Sequence, residues 1–222
     1  MMPPATRLVI FDLDGTLIDS AADIHACANR TLAKEGFAPL PPAQVRGFVG
    51  KGVPHLIERL LDAVGQPTSG PQQARMVADF THDYESAVGL TTCYPGVISA
   101  LKTLRDRGCR LGLCTNKPLA PTHAVLRHLG LAPFFGAVFG GDSLPTRKPD
   151  PAPLHATAVA LGSGPVIYVG DSEIDAETAQ AAGVPFLLFT EGYRKTPATE
   201  LYHDASFDDF AQLPALIASL KA

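Results

Sequence analysis

The sequence predicts an α/β fold: a doubly wound, mainly parallel sheet with an inserted helical segment. After residue 97, short apolar runs alternate with helical patterns, whereas the stretch from about 17 to 90 contains no strand pattern. Apolar runs without in/out alternation are typical of parallel strands covered by helices on both faces. We therefore expect a Rossmann-like core with an inserted α-helical domain.

The strands of the core are predicted from five apolar runs. These are Leu8–Phe11, Arg110–Cys114, Ala137–Phe139, Val166–Val169 and Pro185–Phe189. The helices between them each end at a glycine, which tolerates the left-handed conformation found there. They are predicted at 97–107, 121–129, 153–160 and 175–182. The C-terminal segment, 191–222, is expected to end in a helix on the sheet, and we assign it no chemistry.

The predicted insert contains only helices and follows the first strand directly. Ser20 is the expected N-cap of its first helix, and further helices are predicted at 53–64 and 71–88. We accordingly predict a catalytic core over residues 1–15 and 91–222 and a helical domain over 16–90. Its position, directly after the first acidic motif, suggests a lid over that motif.

Composition narrows the class of protein. The 222 residues carry a formal net charge of −4 and no run of Lys or Arg, which argues against nucleic acid or an anionic membrane as a partner. The N-terminal MMPPATRLVIF resembles neither a signal peptide nor a membrane span. Four scattered cysteines without a CxxC pair indicate reduced thiols, so a cytoplasmic location is expected. The oligomeric state is left open.

Polar residues come directly after several predicted strands, at their carboxyl ends. Open α/β sheets bind their ligands at that edge. Asp12 and Asp14 close the first strand and, being two residues apart, point the same way on an extended chain. Thr115 and Asn116 close the second; their hydroxyl and amide can hold phosphate oxygens or cap the next helix. Taken singly, each of these motifs is also explained as a turn or a helix cap.

Two further motifs complete the set. Lys148 precedes a rigid Pro-x-Pro segment and is placed to neutralise a phosphate as a fixed point charge. Asp171 and Asp175 follow the run Val166–Val169, where acidic side chains can bind a hard divalent cation. Four unrelated turns or helix caps would not be expected to carry these residue types in this order.

The combination resembles the four motifs of the haloacid-dehalogenase-like hydrolase superfamily. The matching residues are Asp12-Leu13-Asp14-Gly15-Thr16, Thr115, Lys148 and Gly170-Asp171-Ser172-x-x-Asp175. The helical insert is similar to that superfamily's α-helical cap. More narrowly, VRGFVGKGVPHLIE at 45–58 and GGDSLPTRKPDPAPL at 140–154 are similar to the phosphoglycolate phosphatase branch.

The resemblance implies a Mg²⁺-dependent phosphatase that acts on a small phosphate ester, with 2-phosphoglycolate as the expected substrate. Asp12 would be the nucleophile that forms an aspartyl-phosphate, and Asp14 the general acid and base. The implied metal ligands are Asp12, Asp171 and the backbone carbonyl of Asp14, with Asp175 behind them. Phosphate oxygens would be held by Thr115, Asn116 and Lys148.

Three cap residues are candidates for recognising an anionic substrate tail: Lys51, Arg46 and His55. Arg46 and His55 are explained equally well as solvated charges on a helix surface. The two glycines that flank Lys51 favour a role in substrate recognition for that residue.

Other activities remain open on the same architecture. A hexose-phosphate mutase would share all four motifs. A phosphonate-cleaving hydrolase would need a cap lysine that forms a Schiff base, for which Lys34 or Lys51 could serve. A non-enzymatic metabolite-binding protein would have no need for both Asp12 and Asp14.

Overall fold

The sheet predicted from the sequence is present, and the fold class is confirmed. The computed structural model describes residues 6–220, so the predictions for 1–5 and 221–222 lie outside the described residues. Its main sheet has six parallel strands: β1 (Leu8–Phe11), β4 (Arg110–Cys114), β5 (Phe135–Phe139), β6 (Val166–Gly170), β7 (Phe186–Phe189) and β8 (Ala205–Phe207). They lie in the order β5-β4-β1-β6-β7-β8.

Helices cover both faces of this sheet. Those of the core are α5 (Val97–Asp106), α6 (Leu119–His128), α7 (Ala152–Leu161), α8 (Glu173–Ala182) and α9 (Leu213–Ser219). Because successive strand residues point to opposite faces, Val9 packs in one hydrophobic cluster with α5, α6 and α9, and Ile10 in another with α7 and α8. Within residues 6–220, no helix has both the length and the apolar content needed to cross a bilayer.

The segment after β1 contains four helices that build a hydrophobic cluster of their own. They are α1 (Ala21–Lys34), α2 (Pro42–Arg46), α3 (Val53–Ala63) and α4 (Pro71–Tyr84). The chain enters and leaves this segment through two short antiparallel strands, β2 (Ile18–Asp19) and β3 (Thr92–Cys93). The buried Asp23 carboxylate accepts hydrogen bonds from Leu90 N at 3.0 Å and Thr91 Oγ1 at 2.6 Å, and so ties the exit to the first helix.

The structure corrects several local predictions. Ser20 occupies the N-cap position of α1, but its hydroxyl makes no capping bond there and donates instead to Asp14. The α4 helix ends at Tyr84, four residues before the predicted end. Strand β8 was not predicted, because an edge strand of three residues is too short to show a pattern.

Candidate active site

Three acidic side chains meet at the carboxyl edge of the sheet. The central strand β1 pairs in parallel with β4 and β6, so Asp12, Thr115 and Asp171 follow the ends of adjacent strands. Carboxylate oxygens of Asp12, Asp171 and Asp175 lie within 4.8 Å of one another, and all three side chains are buried. The strand order alone therefore gathers acids that are about 160 residues apart in the chain.

Lys148 is the positive charge set against these acids. Its Nζ lies 2.9 Å from Asp12 Oδ1 and 2.7 Å from Asp175 Oδ1, and donates to the Tyr168 hydroxyl at 2.8 Å. Burial opposes its charge, but Asp12 and Asp175 hold the pKa of Lys148 above its usual value. Burial also raises the pKa of Asp12 to about 6, with Lys148 opposing the shift. The lysine is thus a buried, permanently charged group.

Asp171 is held on both carboxylate oxygens. Thr16 Oγ1 donates to its Oδ1 at 2.8 Å, and the Tyr193 backbone N–H donates to Oδ2 at 2.6 Å. Burial, together with the nearby Asp175 and Asp12 charges, raises the pKa of Asp171 well above its ordinary value. Gly15 and Gly192 give it room, since a Cβ at either position would lie 2.5 or 2.2 Å from Asp171 Oδ2.

Asp175 orients the groups around it. It forms a capping box with Ser172 at the start of α8, and its Oδ1 also accepts from the Tyr168 hydroxyl at 2.8 Å. Burial alone would raise the pKa of Asp175, but Lys148 and these hydrogen bonds lower it overall. Asp175 is therefore an anion that fixes Lys148 and the turn after β6.

Thr115 and Asn116 follow β4 and are both buried. The Asn116 side-chain Nδ2 donates to the backbone carbonyls of Gly50 and Lys148, each at 3.0 Å. The amide thereby joins a loop of the helical insert to the lysine loop, and both its N–H groups are engaged. In this arrangement the Asn116 side chain would donate to a phosphate only by giving up one of these two bonds.

Asp14 lies apart from the acidic cluster and has its own partners. Its Oδ1 accepts from Ser20 Oγ at 2.6 Å and lies 3.3 Å from Lys117 Nζ. Lys117 also contacts the hydroxyl of Tyr84, on the insert, and lies 3.9 Å from the centre of that ring. Burial lowers the pKa of Lys117, although Asp14 opposes the shift. No role was predicted for Lys117; its position directly after Thr115-Asn116 was the available signal.

Two cavities separate the helical insert from the sheet. The larger, about 350 Å³, is lined by Asp12, Asp14 and Asp171 together with the predicted cap residues Lys51 and His55, and also by Lys195, which was not predicted. The smaller, about 50 Å³, is lined by Asp12 and Asp14 among these acids. Its remaining lining is Ile24, Val49, Gly50, Gly52, Val53, Leu56, Phe80, Tyr84, Thr115, Asn116, Lys117 and Pro118.

The other two insert residues singled out from the sequence lie elsewhere. Arg46 donates to the Gly192 carbonyl at 3.1 Å, and its guanidinium lies 4.9 Å from the centre of the Tyr193 ring. It lines neither cavity and instead bridges the insert to the loop that holds Asp171. Lys34 is exposed and pairs with Asp83 at 3.0 Å, also outside both cavities.

Comparison with known proteins agrees with this geometry. The family model described as haloacid dehalogenase-like hydrolase matches residues 9–189. A phosphoglycolate phosphatase of Cereibacter sphaeroides is 52% identical over 96% of this chain and 99% of its own length. One from Rhodobacter capsulatus is 50% identical over 97% of both chains. The crystal structure of a predicted phosphoglycolate phosphatase from Haemophilus somnus has a TM-score of 0.89 at 29% identity, covering 96% of this chain and 98% of that one.

These relatives confirm two predictions made from the sequence: the resemblance to the phosphoglycolate phosphatase branch, and an enzyme that is a phosphoric monoester hydrolase. The family is shown by two findings. The family model matches most of the chain, and relatives about 50% identical in sequence cover nearly all of it. The chain belongs to the haloacid dehalogenase-like hydrolase family.

Proposed function

We propose that this enzyme is a Mg²⁺-dependent phosphatase that hydrolyses 2-phosphoglycolate through an aspartyl-phosphate on Asp12. The observation that carries the proposal is the buried group of three carboxylates and one lysine at the carboxyl edge of the sheet. The relatives at about half identity, which bear the name phosphoglycolate phosphatase, support the substrate.

The acidic group suits a divalent cation in charge and chemistry. Three carboxylates, of Asp12, Asp171 and Asp175, against one Lys148 ammonium leave a formal charge of −2 in a buried site. Asp12 Oδ1 is buried and accepts no hydrogen bond from the described residues, since Lys148 contacts it as an ion pair without hydrogen-bond geometry. Carboxylate oxygens free in this way are ligands that Mg²⁺ prefers.

Asp12, Asp171 and the backbone carbonyl of Asp14 would hold the ion, and Asp175 would stand behind them. A bound Mg²⁺ would offset the repulsion between a carboxylate and a phosphate dianion, about 4 kcal/mol per charge pair at 4 Å and a dielectric of 20.

Asp12 is the proposed nucleophile. Its carboxylate attacks phosphorus and the bond to the ester oxygen breaks, which divides the displacement into two easier steps. Lys148 lies 2.9 Å from Asp12 Oδ1 and is placed to hold the phosphate oxygens where charge accumulates. Thr115, at the end of the neighbouring strand, would hold a further oxygen, and Asn116 would keep the two loops together around it.

Asp14 is the proposed acid for the leaving alcohol and the base for the water that hydrolyses the intermediate. Ser20 and Lys117 both contact its Oδ1. A proton on Asp14 is therefore best placed on Oδ2, the oxygen that neither group occupies. The same oxygen would later accept the proton of the attacking water.

Helices α1–α4 are proposed as a cap that excludes water and selects the substrate. We place the cap at residues 16–90 and the core at 1–15 and 91–222; the separate hydrophobic cluster of the insert and its narrow two-strand connection support these boundaries. Lys51 and His55 line the larger cavity and stay candidates for contacting substrate. Arg46 is better suited to hold the cap against the core.

The test is phosphate release from a panel of small esters that includes 2-phosphoglycolate, with Mg²⁺, with EDTA, and with Asp12→Asn. We expect selective turnover of 2-phosphoglycolate that requires Mg²⁺ and disappears in Asp12→Asn. Broad, weak turnover would refute the substrate and keep the phosphatase. If no ester is hydrolysed, isomerisation of hexose phosphates and borohydride trapping with a phosphonate test the other two activities.

A further inference from the structure

The smaller of the two cavities contains a cation to which the proposed mechanism gives no contact with substrate. Lys117 is the one ammonium group among the described residues that line it, and its side chain is only 3% exposed. A buried lysine is costly and needs an anionic partner. Here that partner is Asp14, whose Oδ1 lies 3.3 Å from Lys117 Nζ.

We propose that Lys117 binds the carboxylate of the leaving group and thereby selects a substrate whose acid group is on the carbon next to the phosphate ester. The inference rests on the proposed function and adds a specificity-determining residue to it. A carboxylate that enters this cavity meets Lys117 as the ammonium group among its described lining residues, next to the acid proposed to protonate the leaving oxygen.

Distance supports this assignment. Asp14 must reach the ester oxygen with one carboxylate oxygen, and Lys117 Nζ lies 3.3 Å from the other. In 2-phosphoglycolate a single carbon separates the ester oxygen from the carboxylate. A cation adjacent to the acid therefore meets a carboxylate at that position, whereas an anion farther along a longer chain would lie beyond it.

The size and lining of the cavity agree with a small leaving group. At about 50 Å³ the cavity is small, and the glycolate group has only four heavy atoms beyond the ester oxygen. Apolar side chains of the insert, including Leu56 and Phe80, close the other side. Sugar hydroxyls placed there would lose their hydrogen bonds to water without replacement, which costs free energy.

The other cations near the site are less suited to this role. Lys51 and Lys195 are exposed and line the larger cavity, where water screens their charge. His55 shares that cavity and lies 3.4 Å from Glu58. Lys117 is buried beside the acid, where an ion pair is screened least.

The experiment compares kcat/KM for 2-phosphoglycolate and for ethyl phosphate, which has the same ester but no carboxylate, in the wild type and in Lys117→Met. We expect the preference for 2-phosphoglycolate, expressed as the ratio of the two kcat/KM values, to fall about 100-fold or more in Lys117→Met, mainly through KM for 2-phosphoglycolate. A loss common to both esters would report the contact of Lys117 with Asp14 and does not enter this ratio. Lys117→Gln, which keeps N–H donors but no charge, should show the same selective loss. Lys102→Met, an exposed lysine on α5, is the matched control and should leave both unchanged.

Three results would overturn the inference. An equal loss on both esters would mean that Lys117 acts through Asp14 or through the structure. A selective loss in Lys51→Met but not in Lys117→Met would place the carboxylate in the larger cavity. A wild type without preference for 2-phosphoglycolate would show that no carboxylate is recognised. Failure of the proposed phosphatase mechanism gives a different result, namely ester hydrolysis that survives EDTA or Asp12→Asn. Thermal melting of each variant reports whether it is folded.

Discussion

Replacing Lys148 by methionine should destabilise the metal-free enzyme in a pH-dependent way. The lysine is nearly fully buried and contacts Asp12 at 2.9 Å and Asp175 at 2.7 Å. Without it, Asp175 keeps its hydrogen bonds from Ser172 and Tyr168, but Asp12 Oδ1 has no other partner among the described residues. The cost therefore falls mainly on one unpaired buried charge.

Removing one partner of a buried ion pair costs about 3–5 kcal/mol, and we expect the lower end because Asp175 stays compensated. For a chain of this length, each kcal/mol lowers Tm by about 2–4 °C, so Lys148→Met should melt about 6–12 °C below the wild type near neutral pH. Since burial raises the pKa of Asp12 to about 6, this acid is largely protonated at about pH 5 and the difference should shrink there.

The assay is thermal unfolding in EDTA at the two pH values, with Lys102→Met as an exposed-lysine control. A Tm for Lys148→Met within about 2 °C of that control near neutral pH would refute the ion-pair reasoning. A drop of equal size at both pH values would show that lost packing, and not the unpaired Asp12 charge, is the cause.

Asp14→Asn should slow hydrolysis of alkyl phosphates about 10²–10⁴-fold, but slow that of p-nitrophenyl phosphate far less, because nitrophenolate leaves without a proton; equal losses would contradict its role as acid. The raised pKa of Asp12 means that its contribution to metal-free stability is lost as pH rises from about 4 through about 6. Mg²⁺ should accordingly raise Tm more above pH 6 than below it, and Asp12→Asn should flatten this dependence in melting curves. Gly15→Ala places a Cβ 2.5 Å from Asp171 Oδ2 at a φ of +86°, whereas Gly36→Ala has a φ of +80° and open space. Both should lose about 1–2 kcal/mol to the left-handed backbone, and a titration should show weakened Mg²⁺ binding in Gly15→Ala alone; equal Mg²⁺ affinities would refute the steric argument.

The sequence was sufficient for the class of fold and for the order of the chemical groups. Strands buried on both faces are unbroken apolar runs, and acids at their ends are local features of the chain. Because parallel strands end at one edge, the sequence alone places Asp12, Thr115 and Asp171 together. The short edge strand β8 escaped this reasoning since it has too few residues to form a pattern.

The choice of partners was decided by the tertiary structure alone. Ser20 is the N-cap residue of α1 as predicted, but its hydroxyl donates to Asp14. Arg46, a candidate substrate contact, donates to the Gly192 carbonyl. Lys117 contacts both Asp14 on the core and Tyr84 on the insert, a pairing that no local pattern indicates. Sequence patterns report which residues are apolar and how they repeat, whereas pairing between residues a hundred positions apart depends on how the insert packs on the sheet.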